Sequence, residues 1–536
     1  MTARMSGSAI ERAPPESRGA RRAFAAIAMA VFLTALSQTV VVTALPRIAA
    51  DLGRFDQYAW TATAYAVAVT IVTPVAGGLS DRYGRRPLLL LGVAIVSMAA
   101  IPAGWSPDMV WMAVSRAVQG VGGGIVSAAA IAAVADLFAP EERGKYLGLI
   151  GAAYGAAFLL GPPLGGVLTD ALSWRWSLWL IVPLGAAILV AVARVFPGER
   201  REVPKERPDL AGMAALTLAA GPVLLALSWG GAVYPWTSPL TIGLLAFGAA
   251  MAAVFVLVEA RAAAPIMPLG MYRLRAVAAS SVVMFLAGLV LYGSVIVLPL
   301  HFQGVIGLPA STSGIWLTVL PVCMAAGGMV SGQLISRAGG RCRLSGLAGT
   351  GMMTAGAFAM AAMAAMGRDV SAVAAMTSMG VTGLGLGFVL SSFAVAVQNS
   401  VPPGTVGAAT SALQFFRQLG GMLVLAAIGP AVALRYAARA RESVPAGLEA
   451  QDPSARLEAL TRDPQALLDP SAADAPGATA PAAADALLAA LRAALGGAVG
   501  DVLLILAIAA SLSVAATLFL SNSAGEESHR KSAEQR

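Results

Sequence analysis

The sequence predicts an all-α membrane protein with fourteen transmembrane helices, and three observations support this fold class. Apolar residues make up 58% of the 536 residues, charged residues make up only 12%, and the mean hydropathy is +0.76. Soluble globular chains carry about 25% charged residues. Uncharged runs long enough to cross a bilayer recur along the chain, and basic residues concentrate in alternate loops between them. A soluble enzyme, a disordered chain and a nucleic-acid-binding domain are therefore not expected.

Uncharged runs define the individual helices. Five runs contain 24 uncharged residues each, such as those between Arg22 and Arg47 and between Lys145 and Asp170. About 20 apolar residues are enough to cross the hydrocarbon core. Three longer runs are split by Gly/Pro turn signals, for example Pro402-Pro403-Gly404. The fourteen predicted spans are 24–45, 58–79, 87–105, 109–135, 146–169, 176–195, 210–229, 239–258, 277–301, 312–335, 345–366, 371–397, 406–434 and 499–520.

The distribution of Lys and Arg predicts the orientation of the chain. The first span follows a basic tail and is too long for a signal-peptide core, so we expect it to be retained. With a cytoplasmic N-terminus, the inside segments carry 24 of the 36 basic residues and the short outside loops carry four. Basic residues concentrate in cytoplasmic loops. We therefore expect a multi-pass protein of the cell membrane with both termini cytoplasmic, and the net charge of +8 requires no nucleic-acid partner.

The predicted extracytoplasmic loop 435–498 is rich in Ala, Pro and Asp and has no strong apolar run. This composition is typical of a flexible spacer. The loop also contains a candidate short amphipathic helix over residues 484–495.

The segment from Gly77 to Arg86 (GGLSDRYGRR) joins spans 2 and 3. Gly77 and Gly84 permit a tight turn. Asp81 can accept hydrogen bonds from backbone N–H groups at a helix start or pair with an arginine across an interface, which would make a latch that breaks and re-forms. The candidate latch residues are Gly77, Asp81, Arg82, Gly84, Arg85 and Arg86. The segment resembles the signature loop of the major facilitator superfamily.

A second copy of this segment indicates an internal repeat. Residues 332–341 (GQLISRAGGR) match the first copy at five of ten positions, 255 residues later. Halves of transporters in the resembled superfamily are parallel repeats with the substrate site between them near the midplane. Ser336 occupies the position of Asp81, so the second latch is expected to be weaker.

Further motifs resemble one subgroup of that superfamily, the fourteen-span drug:proton antiporters of the EmrB/QacA type. They include Arg116-Ala117-Val118-Gln119-Gly120 in span 4, residues 161–166 (GPPLGG) in span 5, and Phe416-Arg417-Gln418 in span 13. The resemblance implies proton-driven export of lipophilic compounds by a monomer. It also implies two six-helix bundles, 24–195 and 276–520, with the inserted helices 7 and 8 in 196–275, a basic N-terminal tail 1–23 and a C-terminal tail 521–536.

Each motif also has a physical interpretation of its own. A buried arginine is costly, which makes Arg116 a candidate functional residue; the alternative is an arginine that snorkels to the interface. The resemblance implies that Arg116, with Gln119 and Gly120, belongs to the proton-coupling site. In span 5, Gly161, Pro162, Gly165 and Gly166 form the antiporter motif of the resembled family, and plain helix packing is the alternative. Arg417 near mid-depth can serve the substrate path, together with Gln418, or pair with helix carbonyls.

Span 1 carries a polar patch that we expect to line the substrate cavity: Thr34, Ser37, Gln38 and Thr39. The resembled family usually has an acidic residue in a Leu-Asp-x-Thr pattern, where this chain has Leu36-Ser37-Gln38-Thr39. We find no carboxylate well inside any span, because Asp136, Asp170 and Asp501 sit at predicted helix ends. A proton would have to be carried by Asp81, Asp136 or the substrate, and a cavity with arginines but no acid favours neutral or anionic amphiphiles.

The residue types that build catalytic and metal sites are scarce. The chain has two cysteines and two histidines, too few for a cysteine-rich metal site or a histidine-ligated one. We also find no nucleophile–base constellation and no ATPase motif. We therefore expect no enzyme activity, no metal and no cofactor, with transport driven by gradients. The alternative function is an importer or uniporter of a small organic solute that is not coupled to protons.

Overall fold

The structure, a computed structural model, confirms the all-α fold class and the number of membrane helices. It describes residues 18–52, 58–196, 209–230, 234–262, 265–338, 341–368, 370–443 and 481–519. Fourteen helices in this part of the chain are long and apolar enough to cross a membrane. The predicted tail 521–536 and residues 1–17 lie outside the described residues. The first helix begins at Arg18, so its start lies within the predicted N-terminal tail.

We number the helices in chain order. Three of them are interrupted or extended: α6 breaks at Leu180, α10 breaks at Thr318, and α9 continues into a π-helical turn over His301–Ile306. The bounds are α1 Arg18–Leu52, α2 Tyr58–Tyr83, α3 Arg85–Gly104, α4 Met109–Leu137, α5 Pro140–Ala171, α6 Trp174–Trp179 and Ile181–Val195, α7 Leu210–Trp229, α8 Pro239–Glu259, α9 Arg275–Leu300, α10 Ala310–Leu317 and Val319–Arg337, α11 Cys342–Ala365, α12 Ala372–Ser400, α13 Val406–Ser443 and α14 Pro481–Leu518.

The helices pack as two groups. In the first, α4 lies against α2 and α3, and α1 lies against α5 and α6. In the second, α12 lies against α10 and α11, and α14 lies against α9, α11 and α13. Two pairs of helices make the most extensive contacts between the groups, α2 with α13 and α5 with α10. We call these contacts the α2/α13 seam and the α5/α10 seam.

The inserted helices α7 and α8 form a hairpin beside one of the seams. α7 contacts both α2 and α13, whereas α8 packs mainly on α7. Leu224 of α7 forms a small buried apolar cluster with Val67 of α2 and Met422 of α13. The hairpin therefore covers the α2/α13 seam on one side and leaves the α5/α10 seam uncovered by it.

The predicted boundaries of the loop 435–498 are wrong at both ends. α13 continues through residue 443, and α14 begins at Pro481, so the candidate helix at 484–495 is the start of α14. Each helix has 38 residues, about 57 Å at the α-helical rise. The alanine-rich sequence there favours helix strongly. The remaining loop residues, 444–480, lie outside the described part of the chain.

Asp501 lies inside α14 and not at its end, contrary to the expectation from the uncharged runs. Its carboxylate accepts hydrogen bonds from Arg435 (3.0 Å) and from Arg439 (2.9 Å) on α13. These opposite charges interrupt the apolar runs of the sequence, but they compensate one another between α13 and α14. Both helices can therefore continue past them.

Candidate functional site

Asp81 of α2 closes one end of the α2/α13 seam. Its two carboxylate oxygens accept hydrogen bonds from the backbone N–H groups of Gly407 (2.9 Å) and Ala408 (2.8 Å) at the start of α13. The first N–H groups of a helix have no partner within the helix and carry its positive end. A carboxylate from one half of the molecule therefore caps a helix of the other half. We call this end of the bundle, where α2 ends and α13 begins, the latch end.

Arg85 ties Asp81 to the rest of its own half. Its guanidinium donates to Asp81 (2.6 Å), to Asp136 of α4 (2.7 Å) and to Ser80 Oγ (2.6 Å). The side chain is almost fully buried. A buried cation needs such a complete set of partners, because removal from water is costly. Both carboxylates named in the sequence as proton carriers thus meet one arginine.

The remaining predicted latch residues shape the backbone around this network. A Cβ on Gly77 would lie 2.0 Å from Ser411 Oγ and 2.5 Å from the Gly407 carbonyl, so only glycine allows this approach. Gly84 has φ 90°, a conformation that favours glycine, and is the single residue between α2 and α3. Arg86 donates to the carbonyl of Ala193 in α6, and the Arg82 guanidinium lies over the Tyr83 ring.

The α5/α10 seam is closed at the same end by the close approach of glycines. A Cβ on Gly332 of α10 would lie 2.1 Å from backbone atoms of Gly144 in α5. One turn away, a Cβ on Gly148 would lie 2.6 Å from backbone atoms of Gly328 and Met329. Both helices carry the Gly-x-x-x-Gly spacing that lets membrane helices approach closely. This spacing could have identified the seam from the sequence, and our sequence analysis missed it.

Arg143 at the start of α5 adds a polar contact between the halves. Its guanidinium donates to Asn399 Oδ1 of α12 (2.9 Å) and to the Ala135 carbonyl at the end of α4 (3.0 Å). Gln398, beside Asn399, donates to the Ile131 carbonyl of α4 (3.3 Å). Sequence reasoning counted Arg143 only as a topological charge. Its role depends on α4 and α12 ending side by side.

Between the two seams lies a cavity of about 310 Å³. Its wall comes from both halves of the chain and is mainly apolar, as is usual for small-molecule sites. Arg417 of α13 faces this cavity and is the one charged side chain in the described part of its wall. Its Nε donates a hydrogen bond to Gln414 Oε1 (2.9 Å). Arg417 therefore faces the cavity and pairs there with a side chain. Polar or aromatic residues in the wall are Gln38, Tyr154, Phe158, Tyr292, Thr318, Ser391, Thr410 and Gln414.

A smaller polar lobe of about 80 Å³ adjoins the main cavity and shares Gln38 and Arg417 with it. Thr34 and Gln418, both predicted for the cavity, line this lobe. Gln418 accepts a hydrogen bond from Thr70 of α2 (2.9 Å), which links the halves near the middle of the α2/α13 seam. Four of the six residues predicted for the cavity therefore line it or its lobe.

The other two residues predicted for the cavity face elsewhere. Thr39 donates to the Ala157 carbonyl of α5 (3.1 Å) and packs on Gly161. Ser37 is buried, and its carbonyl faces Arg116. Polar side chains in a membrane helix also bond to neighbouring helices, which is the role that Thr39 has here, so neither residue is among those that line the cavity or its lobe.

Arg116 is buried inside the first half and does not line the cavity, contrary to the expectation of several cavity arginines. It donates to the Ser37 carbonyl (3.1 Å) and to Gln119 Oε1 (2.7 Å), and it lies 4.5 Å from the centre of the Tyr65 ring. No described carboxylate pairs with it, and the Ser37 hydroxyl is buried without a partner. The snorkelling alternative does not apply, because the side chain is 1% exposed. A Cβ on Gly120 would collide with the Tyr65 carbonyl, so α4 packs tightly on α2 there.

The glycines and proline of α5 have unequal surroundings. A Cβ on Gly161 would lie 2.0 Å from Thr39 Oγ1, so this residue allows close packing of α5 on α1. The Gly165 carbonyl accepts from Ser177 of α6 (3.4 Å). Gly166 has open space beside it, and Pro162 lies within a continuous helix. Close packing therefore accounts for Gly161 and leaves Gly166 without a structural requirement.

The comparisons with known proteins agree with this architecture. The family model of the Major Facilitator Superfamily matches residues 27–425. The chain is 33% identical over 402 residues to the multidrug transporter protein MdtP of Bacillus subtilis (strain 168), which covers 75% of this chain and 73% of that protein. It is 32% identical over 403 residues to Multidrug resistance protein 3 of the same strain, with 75% and 77% covered.

A relative named MFS-type efflux pump LUC4, from Fusarium sp, is 32% identical over 434 residues, with 76% of this chain and 74% of that protein covered. Among solved structures, the human organic anion transporter MFSD10 (TETRAN) matches 92% of this chain and 100% of that chain with a TM-score of 0.57. Their identity is 16%, so this likeness shows the fold alone. The chain is therefore a multi-pass membrane transporter for small molecules and belongs to the Major Facilitator Superfamily.

Proposed function

We propose that the protein exports amphiphilic small molecules by proton-driven alternating access, as a monomer, with its latch end in the cytoplasm of the cell. The observation that carries this proposal is the joining of the two halves at one end. Asp81 on one seam and Gly144, Gly148, Gly328 and Gly332 on the other all lie at the latch end. A single chain supplies both walls of the cavity. The relatives named as multidrug transporters support export of drug-like compounds.

The basic residues support the cytoplasmic assignment. Arg82 lies in the last turn of α2, Arg85 and Arg86 begin α3, and Arg143 and Lys145 lie near the start of α5, so five basic residues flank the two short connections at the latch end. Short cytoplasmic loops carry an excess of such residues. With this orientation the conformation is closed to the cytoplasm, and substrate leaves toward the outside.

The cavity supports neutral or anionic amphiphiles as the substrate class. Apolar side chains form most of its wall, and Arg417 supplies the charge in the described part of it. In a low-dielectric site an uncompensated guanidinium attracts an anion and repels a cation. Gln38, Gln414 and Gln418 add hydrogen-bonding groups around it.

The latch supports protons as the coupling ion. Protonation of Asp81 would remove the charge that pairs with Arg85 and would weaken both hydrogen bonds from the start of α13. The halves could then separate at the latch end. Coupling at Asp81 would also compensate for Ser37, which gives Arg116 no carboxylate.

The test is transport by the purified protein in proteoliposomes with an imposed pH gradient. Three amphiphiles of matched size, carrying a carboxylate, no charge or a quaternary ammonium group, are compared while substrate flux and lumenal pH are followed. We expect the neutral and anionic compounds to move against the proton flow and to collapse the gradient. Arg417→Gln should reduce flux of the anion and spare the neutral compound, and Arg116→Gln serves as the control for the buried arginine.

Two outcomes would contradict parts of the proposal. Preference for the quaternary ammonium compound would overturn the substrate class inferred from Arg417. Flux without any change in lumenal pH would overturn proton coupling and would favour the uniporter, for which the absence of an acid beside Arg116 is the supporting observation.

A further inference from the structure

A buried carboxylate that the transport mechanism does not use lies at the end of the inserted hairpin. Glu259, the last residue of α8, is 3% exposed. Its Oε1 accepts a hydrogen bond from the Met267 N–H (2.5 Å), whereas its Oε2 is buried without a partner. Burial of an ionised carboxylate with an unsatisfied oxygen is costly. In the hairpin, the end of α8 that carries Glu259 lies beside the start of α7.

The second carboxylate of the pair is Asp209, which caps α7. Its Oδ1 accepts from the Gly212 N–H (2.7 Å), and its Oδ2 is buried without a partner. A Cβ on Gly212 would lie 2.4 Å from Asp209 Oδ2 and 2.9 Å from Glu259 Oε2. The two free oxygens therefore both border the space that a methyl group at Gly212 would fill.

No cation in the described part of the chain compensates this pair. Asp209 is the charged group that acts on Glu259, and the other groups bonded to the Glu259 carboxylate are backbone N–H groups of Ile266 and Met267. Among the described residues, Arg261, two residues after Glu259, and Arg82 on the adjacent α2 are not partners of either free oxygen. Two ionised carboxylates in contact repel each other, and such pairs hold one proton between them.

We propose that Asp209 and Glu259 form a proton-binding site, in which one protonated carboxyl donates a hydrogen bond from its O–H to the free oxygen of the other. The bound proton cancels one of the two negative charges and satisfies both unpartnered oxygens. Gly212 leaves the space in which that hydrogen bond forms. The site is separate from the latch and the cavity. The proposal therefore does not depend on the substrate or on the direction of transport.

The site also has a contact route to the α2/α13 seam. Glu259 holds the segment that contains Ile266 and Met267. Ile266 packs on Gly78 of α2, where a Cβ would lie 3.2 Å from the Ile266 carbonyl oxygen. Gly78 is the neighbour of Gly77, the glycine that packs on α13 in the α2/α13 seam. Loss of the proton would make the pair repel, displace this segment and change the support of α2 beside the latch.

The experiment is difference infrared spectroscopy on the full chain in proteoliposomes at neutral pH, in light and heavy water. We expect a carbonyl band of a protonated carboxyl that shifts on deuteration. The band should be lost completely in Glu259→Gln and in Asp209→Asn, and retained in Asp170→Asn, which removes an exposed carboxylate of α5. Survival of the band in both variants of the pair would overturn the proposal.

A third variant keeps both carboxylates and guards against a folding defect. Gly212→Ala places a methyl group against both free oxygens, so the carboxylates must shift, the shared hydrogen bond should break and the band should be lost while the helices persist by circular dichroism. A band that disappears when Na⁺ or Mg²⁺ is added to the wild type, with a rise in melting temperature, would instead show a metal cation in the site and overturn the proton. Because these readouts do not involve transport, their failure leaves the export proposal untouched.

Discussion

The two seams that join the halves of this transporter occupy equivalent places in its internal repeat, yet different chemistry closes them. At the α2/α13 seam, Gly77 allows close approach and Asp81 caps the facing helix. At the α5/α10 seam, Gly332 lets the two backbones come into direct contact, but Ser336 stands where the first copy has Asp81. One seam is closed by charge and the other by shape.

The helix starts that face the two seams explain this difference. α13 begins Val406-Gly407-Ala408 and presents two backbone N–H groups to Asp81. α5 begins with Pro140, which has no N–H, followed by Glu141 and Glu142. The start of α5 therefore offers a carboxylate at position 336 fewer backbone donors than the start of α13 offers Asp81. Under the proposed coupling, protonation of Asp81 releases the first seam, whereas the glycine contacts of the second contain no group that a proton could neutralise.

The largest expected effect comes from forcing the glycine seam apart. Gly332→Leu would place side-chain atoms on the backbone of Gly144 at positions where a Cβ alone comes within 2.1 Å. Overpacking costs about 1–3 kcal/mol and occasionally more, and backbone atoms cannot rotate away. We expect transport to be abolished and cysteines at the latch end to become reactive to a water-soluble thiol reagent. Gly351→Leu on α11, where the added Cβ meets open space, should leave both unchanged.

The second-largest effect is expected for Asp81→Asn, which removes the charge that closes the α2/α13 seam. Loss of one partner of a buried ion pair costs about 3–5 kcal/mol, which shifts the balance between closed and open latch by at least about a hundredfold. Distances between spin labels on α2 and α13 at the latch end should lengthen. The amide should also remove the pH dependence of that distance, whereas a pH dependence equal to that of the wild type would place the coupling proton elsewhere.

Ser336→Asp gives the α5/α10 seam the aspartate that Asp81 supplies to the α2/α13 seam. If the start of α5 cannot serve as a latch, the new carboxylate loses water without gaining the backbone N–H donors that Asp81 has, and the seam weakens. Partly exposed charge pairs are worth about 0.2–1 kcal/mol, so we expect up to a fivefold loss of transport rate. Ser336→Ala is the matched control. A gain in stability of the closed state would contradict the role given to Pro140.

The smallest effect is expected for a charge pair that crosses no seam. Asp51, beyond the membrane-spanning part of α1, accepts from Trp174 Nε1 and Arg175 Nη1, both at 2.9 Å and within the first half. These hydrogen bonds lower the pKa of the Asp51 carboxyl below its ordinary 3.8. Its contribution to stability is therefore present at neutral pH and is lost as the pH falls below 3.8 through the lowered pKa.

We expect Asp51→Asn to lower the melting temperature slightly at neutral pH, since an exposed pair contributes less than about 1 kcal/mol. The difference from the wild type should vanish in acid, and the spin-label distance at the latch end should not change. A lengthened distance would show that contacts within one half also set the seams.

The sequence by itself determined the number of helices, their repeat and the latch motif. Long uncharged runs, alternating basic loops and Gly84 carry that information locally, because a membrane admits few backbone structures and charge marks their ends. The tertiary structure decided which neighbour each residue meets. Lipid and helix interior are equally apolar, so hydropathy does not distinguish the faces of a membrane helix. Only the packing turned Thr39 toward α5, enclosed Arg116, and brought Asp209 to Glu259.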